Sequence, residues 1–374
     1  MRLGSMRHWR TQRLAAQADR PADNFLLLRH IAALLVIYGH SYDLSLPYSD
    51  ADLIATLWPN HKAGGFAVYL FFAISGFLLT SSLIRTPSVG RYLRHRFTRI
   101  FPAYWLSLLF CIALIGPLFS HLDALDYARQ PAILDYILDN AIPIGFTWAL
   151  PGVFADNPYP NVVNGSLWSL GLELRLYTYL GLLLMLGLVT RRWAFSLIAL
   201  LWLAHACWLD WQQVADQHYS RFLTSVFLIA GLAAHWRSRL PINFSILAGL
   251  LLIYLLALNT PFAPTMLALN VVCGVLCFAY RLPAIRFPRD LDLSYGLFLY
   301  GFPVQQALIH LIPTISPMAL FALATLICGL LAWLSWRWVE RPLQSWTRKR
   351  DRNRTAASLE PREVSQPTGP AQAL

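Results

Sequence analysis

Charged residues are scarce in this chain. Only 13% of its 374 residues are Asp, Glu, Lys or Arg, whereas 57% are hydrophobic. The mean hydropathy is +0.48. Soluble domains are usually about 25% charged, so this composition excludes an ordinary soluble protein. Acidic residues are scarcer than basic ones, and 19 of them against 30 leave a net charge of +11.

The basic excess does not indicate a nucleic-acid partner. No RNA- or DNA-binding motif accompanies the basic residues, and they lie mainly between the apolar runs. The positive-inside rule expects this distribution in a membrane protein whose basic loops face the cytoplasm. We therefore predict an even number of spans with both termini cytoplasmic.

The chain also has few cysteines, and no metal site is expected. All five lie in apolar runs, where a free cysteine usually acts as a small buried hydrophobe. Cys273 and Cys277 share a helix face, but no His or carboxylate nearby completes a metal site. Residues 1–23 are polar and Arg-rich and lack the apolar core of a cleaved signal peptide, so we expect none.

Long apolar runs dominate the rest of the chain and predict an all-α, polytopic membrane protein with about ten transmembrane helices. Each run approaches the length that crosses about 30 Å of hydrocarbon. The predicted spans are roughly 25–45, 64–84, 100–120, 166–188, 193–210, 219–236, 242–258, 265–281, 291–311 and 318–338. A basic cytoplasmic segment, 1–23, precedes them, and a tail over 346–374 is predicted to be disordered.

Two ionisable residues, Arg29 and His40, lie inside the first predicted span. Eleven residues at 100° each make about three full turns, so both side chains leave one helix face with a rise of about 16 Å between them. Such residues are expensive in hydrocarbon and default to a functional hypothesis. The alternative for His40 is a polar residue that hydrogen-bonds a neighbouring helix.

Glu173, about seven residues into the fourth span, can share the depth of His40. A carboxylate beside an imidazole fixes its tautomer and raises its basicity, as general-base catalysis needs. Asp43, three residues after His40, is a second candidate for that role. The alternative for Glu173 is an ion pair with an arginine.

Arg96 and Arg99 precede the third span and share a helix face. With Arg29 they could form a cationic mouth for a phosphate-bearing ligand, since guanidinium groups suit bidentate phosphate contacts. The alternative is ordinary charge that sets the topology.

Ser75 and Gly76 lie near the middle of the second span. A pair of small residues there is typical of close helix packing, although a role for Ser75 as a nucleophile stays open.

Five segments together resemble the acyltransferase family 3 membrane proteins. They resemble that family's segments in order and spacing, over about residues 24–345. The segments are Arg29-x10-His40, Phe71-Phe72-Ala73-Ile74-Ser75-Gly76-Phe77-Leu78, Arg96-x-x-Arg99-Ile100-x-Pro102-x-Tyr104-Trp105, Trp168-Ser169-Leu170-x-x-Glu173 and Val339-Glu340-Arg341-Pro342.

The resemblance implies an O-acyltransferase of the bacterial inner membrane. Its donor substrate would be cytoplasmic acyl-CoA, most commonly acetyl-CoA, with no permanently bound cofactor. Its acceptor would be a hydroxyl of a sugar, an exopolysaccharide or a lipid-linked glycan. The resemblance also implies importance for Arg29, His40, Arg96 and Arg99, and makes Glu173 a candidate site residue.

One position departs from the family pattern: Gly301 stands where related proteins usually have a His, so no role for that His can be assigned here. Some members append an esterase-like domain, and we expect none here. The alternative function is a transporter of an anionic solute or acyl donor, which would use the same arginines. The absence of an evident internal repeat weighs against it.

Overall fold

The computed structural model describes residues 12–14, 23–46, 52–58, 61–285, 288 and 290–359. Within these ranges the regular secondary structure is helical apart from one short antiparallel pair of strands, β1 (Gln12–Arg13) and β2 (Pro241–Ile242), and two isolated bridges. Most of the basic segment 1–23 lies outside the described residues.

A helix forms at each of the ten predicted positions. In chain order these helices are α1 (Phe25–Ser45), α3 (Ala63–Arg85), α4 (Val89–Phe110), α8 (Trp168–Met185), α9 (Arg192–Trp211), α10 (His218–His235), α11 (Phe244–Leu256), α12 (Ala263–Arg281), α13 (Ser294–Leu311) and α14 (Pro317–Ser335). The shorter helices are α2 (Leu53–Leu57), α5 (Gly116–Phe119), α6 (Ala124–Ala128) and α7 (Ala132–Asn140), and α15 (Arg341–Leu359) ends the described chain.

By length and composition, six helical segments of the described chain suffice to cross a membrane. They are Phe25–Ser45, Ala63–Arg85, Val89–Phe119, Arg192–Trp211, Ala263–Arg281 and Pro317–Asn353. The prediction of an all-α, multi-pass membrane protein is therefore confirmed. The number of ten crossings and the cytoplasmic position of the termini stay predictions.

The third helix begins earlier than its apolar run. The Ser88 hydroxyl accepts a hydrogen bond from the backbone N–H of Arg91 at 3.4 Å and caps α4, so the Arg-rich stretch before residue 100 is helical. The same helix then continues through a π-helical turn, Cys111–Ile115, into α5. This extension places Arg96 and Arg99 on a continuous helix rather than in a loop.

Helix α3 lies at the centre of the bundle and packs against α1, α10 and α12. Two close approaches explain its glycines. A Cβ on Gly76 would lie 2.3 Å from the carbonyl oxygen of Phe227 on α10, and one on Gly39 would lie 2.4 Å from the backbone nitrogen of Gly64. The predicted packing role of the Ser75–Gly76 pair is thus confirmed for Gly76.

Helix α13 packs against α1 and α14 and carries two fully buried glutamines. Gln305 donates to the carbonyl oxygen of Ile37 and to the hydroxyl of Ser41, each at 2.7 Å. These bonds tie α13 to the half of α1 that carries His40. Amide–backbone contacts of this kind hold helices in register where no water competes.

The predicted disordered tail is wrong over its first part, because α15 continues through residues 346–359. Arg94 and His95 of α4 both contact the Asp351 carboxylate, His95 Nε2 at 2.6 Å, and Thr347 is fully buried. These contacts dock the helix against α4, which composition alone did not reveal. Residues 360–374 of that tail lie outside the described residues.

Candidate active site

Two neighbouring cavities follow the face of α1 that carries Arg29 and His40. The first, here called the arginine cavity, has a volume of about 350 Å³ and is lined by Arg29, Arg96 and Arg99. The second, the histidine cavity, has a volume of about 410 Å³ and is lined by His40. Their linings share three residues: Val68, Ser169 and Phe298.

The predicted cationic cluster forms, and it carries counter-charges that the sequence did not reveal. Asp292, just before α13, accepts a hydrogen bond from Arg29 at 2.8 Å and from Arg99 at 2.9 Å, both through Oδ2. Glu340, only 1% exposed, lies 3.4 Å from Arg99. Buried arginines need such partners because an uncompensated charge is costly away from water.

Arg96 sits differently from the other two arginines. Its guanidinium carbon lies 5.6 Å from the centre of the Tyr177 ring, a cation–π contact. Its Nε is buried and finds no acceptor among the residues that the structure describes. Arg96 therefore has donor capacity to spare on the wall of the arginine cavity.

Glu173 lies in the arginine cavity rather than beside His40. Its Oε1 accepts hydrogen bonds from the Ser75 hydroxyl at 3.1 Å and from the Tyr177 hydroxyl, and the two hydroxyl oxygens lie 3.2 Å apart. No hydrogen bond joins Glu173 to His40 among the described residues. A depth shared with His40 does not make His40 the hydrogen-bond partner of Glu173, because the hydroxyls of Ser75 and Tyr177 already bind that carboxylate.

His40 is held by packing. Its ring meets the Phe302 ring edge-on with centroids 5.2 Å apart, and a Cβ on Gly64 would lie 4.0 Å from its Cδ2. The close approach of Gly39 to Gly64 brings α1 and α3 together beside it. Its Nδ1 is buried and has no hydrogen-bond partner within the described chain.

Asp43 lines the histidine cavity but does not bond to His40. Its Oδ1 instead pairs with Lys62 Nζ at 2.9 Å, at the start of α3. The carboxylate is thus already engaged by the charge of Lys62. The role of Asp43 as an orienting group for His40 stays a prediction.

The histidine cavity has a second imidazole, which the sequence analysis passed over. His61 lies before α3, its Nδ1 is 3.4 Å from the Tyr69 hydroxyl, and its ring packs against Trp58 with centroids 4.7 Å apart. Burial lowers the pKa of His61 from its ordinary value of 6.5, so it is neutral at neutral pH. A neutral imidazole adds a polar wall to this cavity without adding charge.

Asp292 and Tyr177 are the principal residues that sequence reasoning missed. Asp292 lies beside a basic stretch between two apolar runs, and Tyr177 lies inside one of those runs, so neither position indicates a site in the sequence. The sequence does indicate that such partners exist, since three arginines in one site require nearby carboxylates. The count does not say which carboxylates these are.

Such a bundle, with an arginine cluster at one level and a histidine at another along one helix, is a polytopic membrane protein with two neighbouring cavities inside. The sequence model of the acyltransferase 3 family, described as "Acyltransferase domain", matches residues 24–339. That match covers most of the chain, which therefore belongs to this family. The predictions of the family and of an O-acyltransferase enzyme are confirmed.

Curated relatives agree with this assignment. The chain is 27% identical over 329 residues to an "O-acetyl transferase" of Shigella phage Sf6, covering 84% of this chain and 93% of the relative. It is 28% identical over 366 residues to "Nodulation protein 10" of Rhizobium leguminosarum bv. viciae, covering 86% of this chain and 92% of the relative. No solved structure matches the chain significantly.

Proposed function

We propose that this enzyme transfers an acyl group, most simply acetyl, from cytoplasmic acyl-CoA to a hydroxyl of a sugar or glycan acceptor in the bacterial inner membrane. One observation carries the proposal. The arginine cavity and the histidine cavity lie at different levels of α1 and share the wall residues Val68, Ser169 and Phe298. A donor with a charged end and an extended arm suits such a pair of cavities.

The donor end follows from the charges. Arg29, Arg96 and Arg99 would hold the phosphates of acyl-CoA, since guanidinium groups form short, charge-assisted bonds with phosphate oxygens. The spare donor on Arg96 and the proximity of Arg29 and Arg99 around one carboxylate support this assignment. The pantetheine arm would then run along the roughly 16 Å rise of α1 towards His40.

The acceptor end follows from the chemistry of His40. A neutral imidazole nitrogen would take the proton of the acceptor hydroxyl while its oxygen attacks the thioester carbonyl. The tetrahedral intermediate then breaks its C–S bond, the ester forms, and the proton leaves with the CoA thiol. Because Nδ1 is buried, we assign the proton transfer to Nε2, with Glu173 outside the immediate reaction.

Mass spectrometry of envelope glycans tests the proposal. Cells that make the native protein should show glycans heavier by one acyl group, and cells that make His40→Ala at equal abundance should not. His205→Ala is the matched control, because His205 is exposed on α9 and lines neither cavity. Full acylation with His40→Ala would overturn the role of His40.

The donor is tested separately with purified protein. Acetyl-CoA carrying an isotopic label in its acetyl group should bind the native protein and lose about tenfold or more in affinity when Arg99 becomes Gln. Equal binding by native protein and variant would remove the arginine cavity from the donor site. Label that never reaches an acceptor in membranes containing envelope glycans would count against acyl-CoA as donor.

A further inference from the structure

A third space, here called the lipid groove, lies between α8 and α9. It has a volume of about 490 Å³, within the usual range for a ligand site. Helices α8 and α9 follow each other in the chain but do not pack extensively together, and α10 forms the floor between them. The lining includes Leu176 and Leu183 of α8, Ile198 of α9 and Phe227 of α10.

The two ends of the lipid groove differ in polarity. Arg175 and Arg221 lie at the end where α8 and α10 begin, and Leu182 and Leu183 lie about 10 Å further along α8. A positive end joined to an apolar trough complements an anionic lipid, whose phosphate is followed by a hydrocarbon chain. A soluble anion has no hydrocarbon chain that could fill the apolar trough.

Arg175 is the more available of the two guanidinium groups. It is exposed on a helix of the bundle, and the bond that its side chain makes to the described residues goes to the carbonyl oxygen of Ile144 at 3.1 Å. An arginine on the surface of a membrane helix is expensive unless it reaches water or an anion. A lipid phosphate would provide that anion.

Arg221 adds a second guanidinium group to this end, and one carboxylate is paired with it. It is 7% exposed and contacts Asp210 at 3.2 Å as well as the carbonyl oxygens of Val214 and Asp216. Its Nε is buried and meets no acceptor within the described ranges. Two arginines and one aspartate leave this end of the groove positive.

The positive end lies next to the histidine cavity. Trp168 and Tyr219 line that cavity, and their rings lie with centroids 5.2 Å apart. Ser220 and Leu172, each within one helical turn of that aromatic pair, line the lipid groove. The aromatic pair therefore lies between the positive end of the groove and the histidine cavity.

We propose that the lipid groove binds the acceptor in its lipid-linked form: a sugar joined through phosphate to a long hydrocarbon chain. The chain lies between α8 and α9, the phosphate contacts Arg175, and the sugar enters the histidine cavity. This inference rests on the proposed acyl transfer, selects the lipid-linked form among the acceptors that the family resemblance implies, and adds its binding site and route of entry. It also explains why α8 and α9 stand apart.

Native mass spectrometry of the purified full chain, titrated with undecaprenyl phosphate, tests this inference. The native protein should form a one-to-one adduct. Arg175→Gln should weaken it about tenfold, the usual cost of losing one charge-assisted bond, and Ile198→Trp should weaken it by at least as much because the indole fills the trough. Leu197→Trp and Arg129→Gln are the matched controls, since both residues are exposed and lie outside the groove.

The outcomes separate the inference from the function on which it rests. Equal binding of undecaprenyl phosphate by the Ile198→Trp and Leu197→Trp proteins would show that the groove is not its binding site. Equal displacement of undecaprenyl phosphate by phosphatidylglycerol would show a general phospholipid site and overturn the lipid-linked acceptor. Cells that make the Ile198→Trp or the Arg175→Gln protein could also acylate their glycans as fully as cells with the native protein. That result would overturn the acceptor site in the groove but leave the proposed acyl transfer intact. Loss of lipid-linked product with unchanged acetyl-CoA binding would support it.

Discussion

Asp292→Asn isolates the charge balance of the arginine cavity. The substitution keeps the size of the side chain but removes the anion that Arg29 and Arg99 share at 2.8 and 2.9 Å. Glu340, 3.4 Å from Arg99, then becomes the nearest carboxylate to that guanidinium. We expect a less stable protein, because two neighbouring guanidinium groups would lose their common counter-charge.

The magnitude follows from burial. Breaking a buried ion pair by removing one partner costs about 3–5 kcal/mol. The Asp292 side chain is 18% exposed and that of Arg29 26%, so water screens part of the interaction. We therefore expect the free energy of unfolding to fall by about 2–4 kcal/mol.

Denaturant unfolding in detergent measures this loss, and a double-mutant cycle assigns it. Arg29→Gln combined with Asp292→Asn should cost at least about 1 kcal/mol less than the sum of the single substitutions, because the pair interacts directly. Asp126→Asn is the control, since its pair with Arg129 spans 3.8 Å with both side chains at least 60% exposed and should change stability by less than about 1 kcal/mol. Additivity within about 0.5 kcal/mol for Arg29 and Asp292 would refute the reasoning.

Three further substitutions test the packing around the site. Gly39→Ala should reduce the yield of folded protein and the unfolding temperature, because its Cβ would lie 2.4 Å from the Gly64 backbone nitrogen. Gly301→His should destabilise the protein by about 1–3 kcal/mol, the usual cost of overpacking, because a Cβ there already lies 3.1 Å from Ile37 Cγ1. Asp351→Asn should release α15, measured as faster proteolysis of the C-terminal segment.

Each of these tests has a matched control. Gly249→Ala and Gly90→Ala place a Cβ in open space and should leave the unfolding temperature unchanged or slightly raised. Asp156→Asn removes an exposed carboxylate outside α15 and should not change the C-terminal cleavage. A stable Gly301→His protein with unchanged packing would show that Ile37 moves freely, against the close contact described here.

The positions of the helices were largely predictable because each requires a long apolar run. The first span was predicted at its observed bounds, and the others within a few residues except the third. That helix begins at Val89 because a capped, Arg-rich turn extends it beyond its apolar part. Hydropathy does not detect a polar extension of a helix. For the same reason it did not predict that α15 continues into the tail.

The site was predictable where it depends on one helix and less so where it depends on several. Arg29 and His40 share a face of α1 through the helical period alone. Glu173 was expected near His40 from depth, but it bonds to Ser75 and Tyr177 instead. Depth gives one coordinate of a side chain, whereas a hydrogen bond needs all three.

The sequence by itself determined the membrane class, the family and the face of α1 that carries Arg29 and His40, because those follow from composition, order and helical spacing. Only the tertiary structure decided which charges meet. The helices α1, α4 and α13 bring Arg29, Arg99 and Asp292 together from positions up to 263 residues apart. Contacts so distant in the chain depend on how helices pack, and local sequence does not encode that packing in any single segment.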